Sequence, residues 1–311
     1  MKPAILLILF SFGLRASDSS ALPVGLGLRT NDVVAVVGGG GAVALARTGH
    51  LEAVITAGHP GHRLRFRTLA WEGDTVFGQP REINYPALPD QIRACGATVT
   101  LIDFGQSESF RGTAEAESFR KSLHRLVEEL RGLTPRLILL TPLPTPGSAP
   151  ASTEPYAESV RAEAAVSQIP LIDLHRAAMG LPPAASEGTP VEGRVPSTDR
   201  LGRCVLQALA GLDPRLQKLE IRADGGFANP EWEALRQAVQ ERNRLWKRFN
   251  RPTNWAFLGG DRTEQPSSRD HRNPSVRWFP DEMKQYLPLI DAADWEIHTK
   301  AAATSATWTT R

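Results

Sequence analysis

Five short apolar runs, separated by helical sequence, divide the first 180 residues of this chain. Several of the runs are apolar at every position, which is typical of parallel strands covered by helices on both faces. Alternation of strand and helix predicts a doubly wound α/β sheet with right-handed crossovers. The predicted strands are Val33 to Val37, Leu64 to Leu69, Val99 to Phe104, Leu137 to Thr141 and Ile169 to Leu174.

The first run leads into four consecutive glycines, Gly38 to Gly41. In doubly wound sheets, ligands bind beyond the carboxyl ends of the strands, so a binding or catalytic site is expected at this turn. The sequence GGGGAV matches neither GxGxxG nor GxxxxGK[ST], and a nucleotide-binding turn is therefore not favoured. Either the glycine backbone is itself functional, or a catalytic side chain is missing.

The first 21 residues have the pattern of a secretory signal peptide. Lys2 precedes an apolar stretch from Ala4 to Leu14, and small and polar residues follow it up to Ala21. This stretch is shorter than the ~20 apolar residues that a membrane span needs. We therefore expect a secreted or periplasmic protein whose mature chain begins near Leu22 and carries no transmembrane anchor.

Net charge and cysteine content indicate which partners, metals and cofactors to expect. The net charge is +2, from 36 basic and 34 acidic residues, so the chain has no overall field that would attract nucleic acid, and we predict no nucleic-acid partner. Cys95 and Cys204 belong to no CxxC motif or Cys/His cluster. The sequence predicts two free thiols, no metal site and no cofactor.

The alternation of apolar runs with helical sequence ends after Leu212. Residues 213–311 are predicted to form a C-terminal extension of the main domain, residues 22–212. Asn229 and Pro230 are typical of a helix start, and the helix is predicted to run over 229–249. An irregular arm and a terminal helix from Asp281 to about His298 are predicted to follow.

The segments after the first three runs, together with a later segment, resemble the four sequence blocks of the SGNH/GDSL hydrolase superfamily. They are GGGG at 38–41, LAWEGDTV at 69–76, FGQSES at 104–109 and EGRVPSTDRLG at 192–202. The likeness covers about residues 30–212 and is nearest to a branch found in secreted bacterial proteins. It implies the SGNH hydrolase fold, a flavodoxin-like three-layer α/β/α sandwich with a five-stranded parallel sheet, here followed by a helical and irregular extension.

The resemblance also implies a role for each matched position. In that superfamily a serine attacks an acyl carbonyl, a histidine takes its proton, and an aspartate three residues before the histidine orients the ring. Gly40 stands at the nucleophile position, and Gly73 keeps the glycine whose N–H helps to bind the oxyanion. Ser107 replaces an asparagine oxyanion donor, Glu192 takes the acid position and Val195 the base position.

Loss of both nucleophile and base removes the covalent route. The leading prediction is a non-catalytic or glycan-binding relative of esterases that act on acyl or acetylated carbohydrate substrates, with a carbohydrate or acyl ester as its ligand. An alternative is an active ester or carbohydrate hydrolase with a non-serine mechanism through Glu72, Asp74 and Glu108, although loop hydrogen bonding also explains these carboxylates. A third possibility is a structural module of the cell envelope.

The irregular arm is rich in planar hydrogen-bonding groups beside aromatic residues, a composition that can bind sugars or carboxylates. Asn254, Arg262 and His271 are its candidate substrate-binding residues. The alternative is that these side chains satisfy the backbone of an irregular segment. His175, after the fifth run, is interpreted as a structural histidine.

Overall fold

The computed structural model describes residues 24–144, 150–182 and 197–309. At its centre is a parallel sheet with the strand order β2-β1-β3-β4-β5. This is the flavodoxin-like order, in which successive strands are added to one side of β1 and then, from β3 onward, to the other side. The predicted α/β class is therefore confirmed. The strands are β1 (Val33–Gly38), β2 (Arg65–Thr68), β3 (Val99–Asp103), β4 (Arg136–Leu140) and β5 (Leu171–Ile172).

Eleven α-helices lie within the described ranges, and none of these is long and apolar enough to cross a membrane. They are α1 (Gly40–Thr48), α2 (His50–Gly58), α3 (Leu88–Ala94), α4 (Gln106–Ser109), α5 (Ala116–Arg131), α6 (Pro150–Val166), α7 (Leu174–Met179), α8 (Thr198–Ala210), α9 (Pro230–Asn250), α10 (Trp278–Met283) and α11 (Tyr286–Thr309).

Alternate residues of β1 face opposite sides of the sheet. Val34 and Val36 pack into a core with α1, α2 and α8, whereas Ala35 and Val37 pack with α3, α5 and α6. Both faces of the sheet are thus covered, which explains why the strand sequences are apolar throughout. The result is the three-layer α/β/α sandwich that the resemblance implied.

Local sequence signals set several helix ends. The side chain of Asn229 accepts hydrogen bonds from the N–H groups of Glu231 and Trp232, at 2.9 and 3.2 Å, and so fixes the start of α9. Asp173 similarly accepts from the Arg176 N–H at 2.9 Å. This cap starts α7 and leaves β5 shorter than predicted.

The terminal helix predicted from Asp281 is instead divided into α10 and α11. Pro288 has no N–H to donate to the carbonyl of Lys284, so a continuous helix through this point would lose a hydrogen bond and is disfavoured. In the first turn of α11 the same proline is tolerated, because the N–H groups of that turn have no intrahelical acceptor. The chain therefore ends one helix before the proline and begins another around it.

The C-terminal helices are built into the main domain. Trp232, Leu235 and Val239 of α9 and Ile297 of α11 belong to the same apolar core as one face of the sheet. Buried ion pairs add to this packing: Arg242 of α9 contacts Glu52 of α2 and Asp294 of α11, and Asp294 also pairs with Arg67 of β2 at 2.6 Å. The extension thus forms part of the helical layer over β2.

Both cysteines are free thiols. Cys204 is buried and its Sγ donates to the carbonyl of Leu174 at 3.1 Å, while the Sγ of half-buried Cys95 donates to the carbonyl of Ile92 at 3.3 Å. Burial raises the pKa of the Cys204 thiol to about 12, so it stays protonated and unreactive at neutral pH.

Candidate functional site

The carboxyl ends of β1 and β3 meet directly beside the glycine run. Gly38 is the register partner of Asp103, and the Gly39 N–H donates to the Asp103 carbonyl at 3.2 Å. The chain then turns, and α1 begins at Gly40. The first N–H groups of a helix have no intrahelical acceptor, so the start of α1 presents backbone donors at the point where β1 and β3 diverge.

The four glycines differ in the room around them. A Cβ at Gly38 would lie 2.2 Å from the Asp103 carbonyl oxygen, one at Gly39 would lie 2.8 Å from the Asp74 carbonyl oxygen, and one at Gly41 would lie 2.6 Å from Asp103 Oδ2. Gly40 is different, since a Cβ there would meet only Gln106 Oε1 at 3.5 Å among the described residues. Close packing thus explains three of the glycines, whereas a side chain fits at the position matched to the nucleophile.

The first three sequence blocks come together at this turn. The carbonyl of Asp74 and the Oγ of Ser107, the latter 3.5 Å away, both border the Cβ position of Gly39. Gly73, which directly precedes Asp74, is exposed. Their expected roles in binding an oxyanion stay predictions. Glu192 and Val195, the acid and base positions, lie outside the described residues.

Each of the three candidate carboxylates has its own partner. Glu108 is buried and accepts hydrogen bonds from the N–H groups of Val76 and Gly105, at 2.8 and 2.9 Å. It thereby ties the second block to the third, and burial raises its pKa despite these bonds.

Asp74 accepts two hydrogen bonds from Arg81, at 2.7 and 2.8 Å, and both side chains are buried. Glu72 is exposed and pairs with Arg251 at 2.5 Å. Burial alone would raise the pKa of Glu72, but the hydrogen bond and charge of Arg251 hold it below its usual value. The structure therefore does not join these carboxylates into one acid–base pair.

Asp103 is a candidate residue that the sequence reasoning missed. Its carboxyl is buried at the end of β3, beneath the first turn of α1, and Oδ2 has no hydrogen-bond partner among the described residues. Burial, together with repulsion from Glu108, raises the pKa of Asp103 to about 7. The available signal was a single acidic residue inside an apolar run, just before the third block.

All seven histidines lie within the described ranges, and none has a ring nitrogen hydrogen-bonded to a serine, threonine or cysteine side chain. His175 is buried at the end of the sheet, with Nδ1 3.2 Å from Glu154 Oε2. The ring thus faces a carboxylate. Burial lowers the pKa of His175, and Glu154 opposes that effect.

The arm residues lie against the segment that follows β2. The Gly260 N–H donates to the Ile83 carbonyl, and Asn84 Nδ2 donates to Thr263 Oγ1 at 2.9 Å. Asn254 is exposed and precedes a short 3-10 helix, Trp255–Phe257.

The other two candidate residues of the arm have neighbours within the arm itself. Arg262 lies over the ring of Phe257 at 5.6 Å, and the side chain of His271 is 85% exposed beside Asp270. None of the arm's three candidate residues is among the close neighbours of the glycine run. Their predicted contact with substrate stays a prediction.

No protein-family model matches this chain, and a search of curated proteins finds no similar sequence. Solved structures that resemble it include the acetylxylan esterase Axe2 from Geobacillus stearothermophilus, at 16% identity and a TM-score of 0.40, covering 58% of this chain and 95% of Axe2. A putative GDSL-like lipase from Parabacteroides merdae is 12% identical with a TM-score of 0.43, covering 60% of this chain and 99% of the lipase.

A lipase/acylhydrolase from Enterococcus faecalis is similar over 57% of this chain and 92% of its own length, at 17% identity and a TM-score of 0.41. The structural neighbours named here are thus esterases and lipases, including one described as GDSL-like. At these low TM-scores the likeness carries no information about the site of this chain.

Proposed function

We propose that this chain is a non-catalytic, ester-binding relative of the SGNH/GDSL hydrolases. One observation carries the proposal: the turn after β1 has room for a nucleophile at Gly40 but supplies none, and none of the seven histidines has a ring nitrogen hydrogen-bonded to a hydroxyl or thiol side chain among the described residues. Serine hydrolysis needs both groups within hydrogen-bond reach. Binding of an acyl or acetylated carbohydrate without turnover is the function that these residues support.

The same turn supports binding of a neutral carbonyl. The first turn of α1 offers backbone N–H groups that have no intrahelical acceptor, and Ser107 lies beside Gly39. Asp103 and Glu108 are acidic groups buried close behind this turn, and their ionised forms would repel a fully charged anion. An uncharged ester carbonyl fits these surroundings better than a phosphate does.

A non-serine hydrolase is not favoured by the contacts of the candidate carboxylates. Asp74 is held by Arg81, Glu72 by Arg251 and Glu108 by two backbone N–H groups. An acid–base pair for hydrolysis needs two carboxyl groups that face one bond. We further propose that the protein acts outside the cytoplasm, and this rests on the signal-peptide pattern of residues 1–21, which lie outside the described residues.

The test measures binding and hydrolysis on the same purified protein. We expect acetylated xylooligosaccharides to bind in isothermal titration calorimetry, with acetate release no faster than in buffer and no labelling by a fluorophosphonate probe. Gly40→Leu should abolish binding, because its side chain would fill the space beside Gln106. Gly61→Leu is the matched control, since a Cβ at Gly61 meets nothing within 4 Å among the described residues.

Two results would contradict the proposal. Acetate release that is blocked by the phosphonate would show an active serine hydrolase. Failure of acetylated xylooligosaccharides and short acyl esters to bind would exclude the ester-binding function and favour a structural role.

A further inference from the structure

A cavity of about 360 Å³ lies between α1, the segment that follows β2, and α9. Its volume is at the lower end of the range of about 300–1,000 Å³ that is usual for small-molecule sites. Val43, three residues after Gly40, lines it, but the glycine run does not. This α1–α9 cavity is therefore separate from the proposed ester site, and its existence depends on the C-terminal extension.

The inner wall of the α1–α9 cavity is apolar. Val43, Ala70, Trp71 and Trp246 line it, and each is buried or half-buried. The guanidinium groups of Arg81 and Arg251 already stack on Trp71, 4.5 and 4.2 Å from the ring centroid. A sugar ring would compete with these two guanidinium groups for the indole, whereas an aliphatic chain needs no free aromatic face, so the wall suits an aliphatic chain better than a carbohydrate.

The rim of the cavity is basic. Arg47 and Lys247 are exposed at the rim, and neither has an acidic partner within 4 Å in the described ranges. Arg244 and Arg251 also line the cavity, but they pair with Glu241 and Glu72. Glu72 also lines the cavity and feels the charge of Lys247, but among the described lining residues it is one acid against four cations, so the excess positive charge favours an anionic headgroup.

An unsatisfied donor adds a second requirement. The Trp71 indole N–H is buried and has no acceptor among the described residues. A buried donor without a partner is destabilising, whereas a carboxylate oxygen would satisfy it. The cationic rim and the unpaired indole N–H therefore both favour an anionic hydrogen-bond acceptor. The apolar wall favours a ligand whose remaining atoms are apolar.

We propose that the α1–α9 cavity binds a medium-chain fatty acid as its carboxylate. The aliphatic chain lies against Val43, Ala70 and Trp246, and the carboxylate lies at the rim with Arg47 and Lys247. The proposal does not depend on the ester site, because no residue of the glycine run takes part.

The experiment titrates the full chain with decanoate and with decan-1-ol by calorimetry. Decanoate should bind saturably and at least tenfold more tightly than the alcohol. The double variant Arg47→Gln/Lys247→Gln should weaken decanoate binding at least tenfold and leave the alcohol unchanged. Lys218→Gln/Arg248→Gln is the matched control, because it removes one exposed lysine and one exposed arginine that do not line the cavity.

Two further variants separate the headgroup from the chain. Trp71→Phe removes the indole donor and should weaken decanoate several-fold, while Val43→Trp fills the cavity and should weaken acid and alcohol alike. Circular dichroism and thermal melting establish that each variant is folded. Phosphatidylglycerol vesicles should not bind.

Three results would overturn the proposal. They are absence of saturable decanoate binding up to 1 mM, equal binding of acid and alcohol, and equal loss of affinity in the rim variant and its control. Vesicle binding that disappears in the rim variant would also overturn it, because the cations would then serve a membrane surface.

Discussion

Asp103 holds a proton at a pH where an exposed aspartate would have lost it. Burial and the nearby Glu108 raise its pKa from 3.8 in the unfolded chain to about 7 in the folded one. The folded state therefore binds more protons than the unfolded state between these two values. The stability that the protonated carboxyl provides is complete below about pH 4 and is lost as the pH rises through 7.

We predict that Asp103→Asn stabilises the protein at pH 8, because the amide is neutral at every pH and similar in shape. A rise of this pKa from 3.8 to about 7 corresponds to an effect on the order of 4 kcal/mol at most. Urea unfolding at pH 4 and pH 8 checks this: the free energy of unfolding of the variant, relative to wild type, should increase with pH. Asp90→Asn, at an exposed residue of α3, is the control, and equal pH dependence of both variants would contradict the prediction.

At the residue scale the sequence identified Gly40 through its place in a block, but could not tell which of the four glycines packing requires. That distinction depends on the carbonyl of Asp103, at the end of β3, and the carbonyl of Asp74, in the loop after β2. For the same reason the separate partners of Asp74 and Glu108 were not predictable. Arg81 and the N–H of Val76 come close only when the loop after β2 has folded.

Helices and strands were predictable where a local signal sets them. The periodic apolar face of α5 and the Asn229 cap of α9 lie within one or two turns of the residues that they order. The arm has no such periodicity, and its order comes from contacts with the segment after β2. Its side chains therefore have structural partners that no local pattern could reveal.

The ion pairs of α9 give a prediction at the scale of elements. Arg242 is completely buried between Glu52 of α2 and Asp294 of α11. Arg242→Met would leave Glu52 buried without a cation, and breaking a buried pair in this way typically costs about 3–5 kcal/mol. The midpoint of urea unfolding should therefore fall substantially, with the slope of the transition unchanged.

The control for this variant lies on the same helix. Arg244 pairs with Glu241, but both side chains are about half exposed. Arg244→Met should cost no more than about 1 kcal/mol, since exposed pairs add little to stability. Equal losses of stability in the two variants would show that the contribution of the α9 ion pairs to stability does not depend on burial, and would contradict the prediction.

For the whole molecule, the question is whether residues 22–212 can fold without the extension. Trp232, Leu235, Val239 and Ile297 of the extension are almost fully buried in the core that covers one face of the sheet. Each buried apolar side chain contributes about 1.5–3 kcal/mol, and a typical domain is stable by only about 5–15 kcal/mol. Loss of four such side chains is enough to cancel that stability.

We therefore predict that a chain ending at Leu212 does not fold cooperatively, although the sequence blocks and the sheet are all within it. The truncated protein should bind the dye ANS and show no sharp thermal transition. A chain that lacks only the first 21 residues, the matched control, should melt in a single transition. A cooperative transition in the truncated chain, with a native near-ultraviolet circular dichroism spectrum, would show that the helices after Leu212 are an accessory and not part of the folding unit.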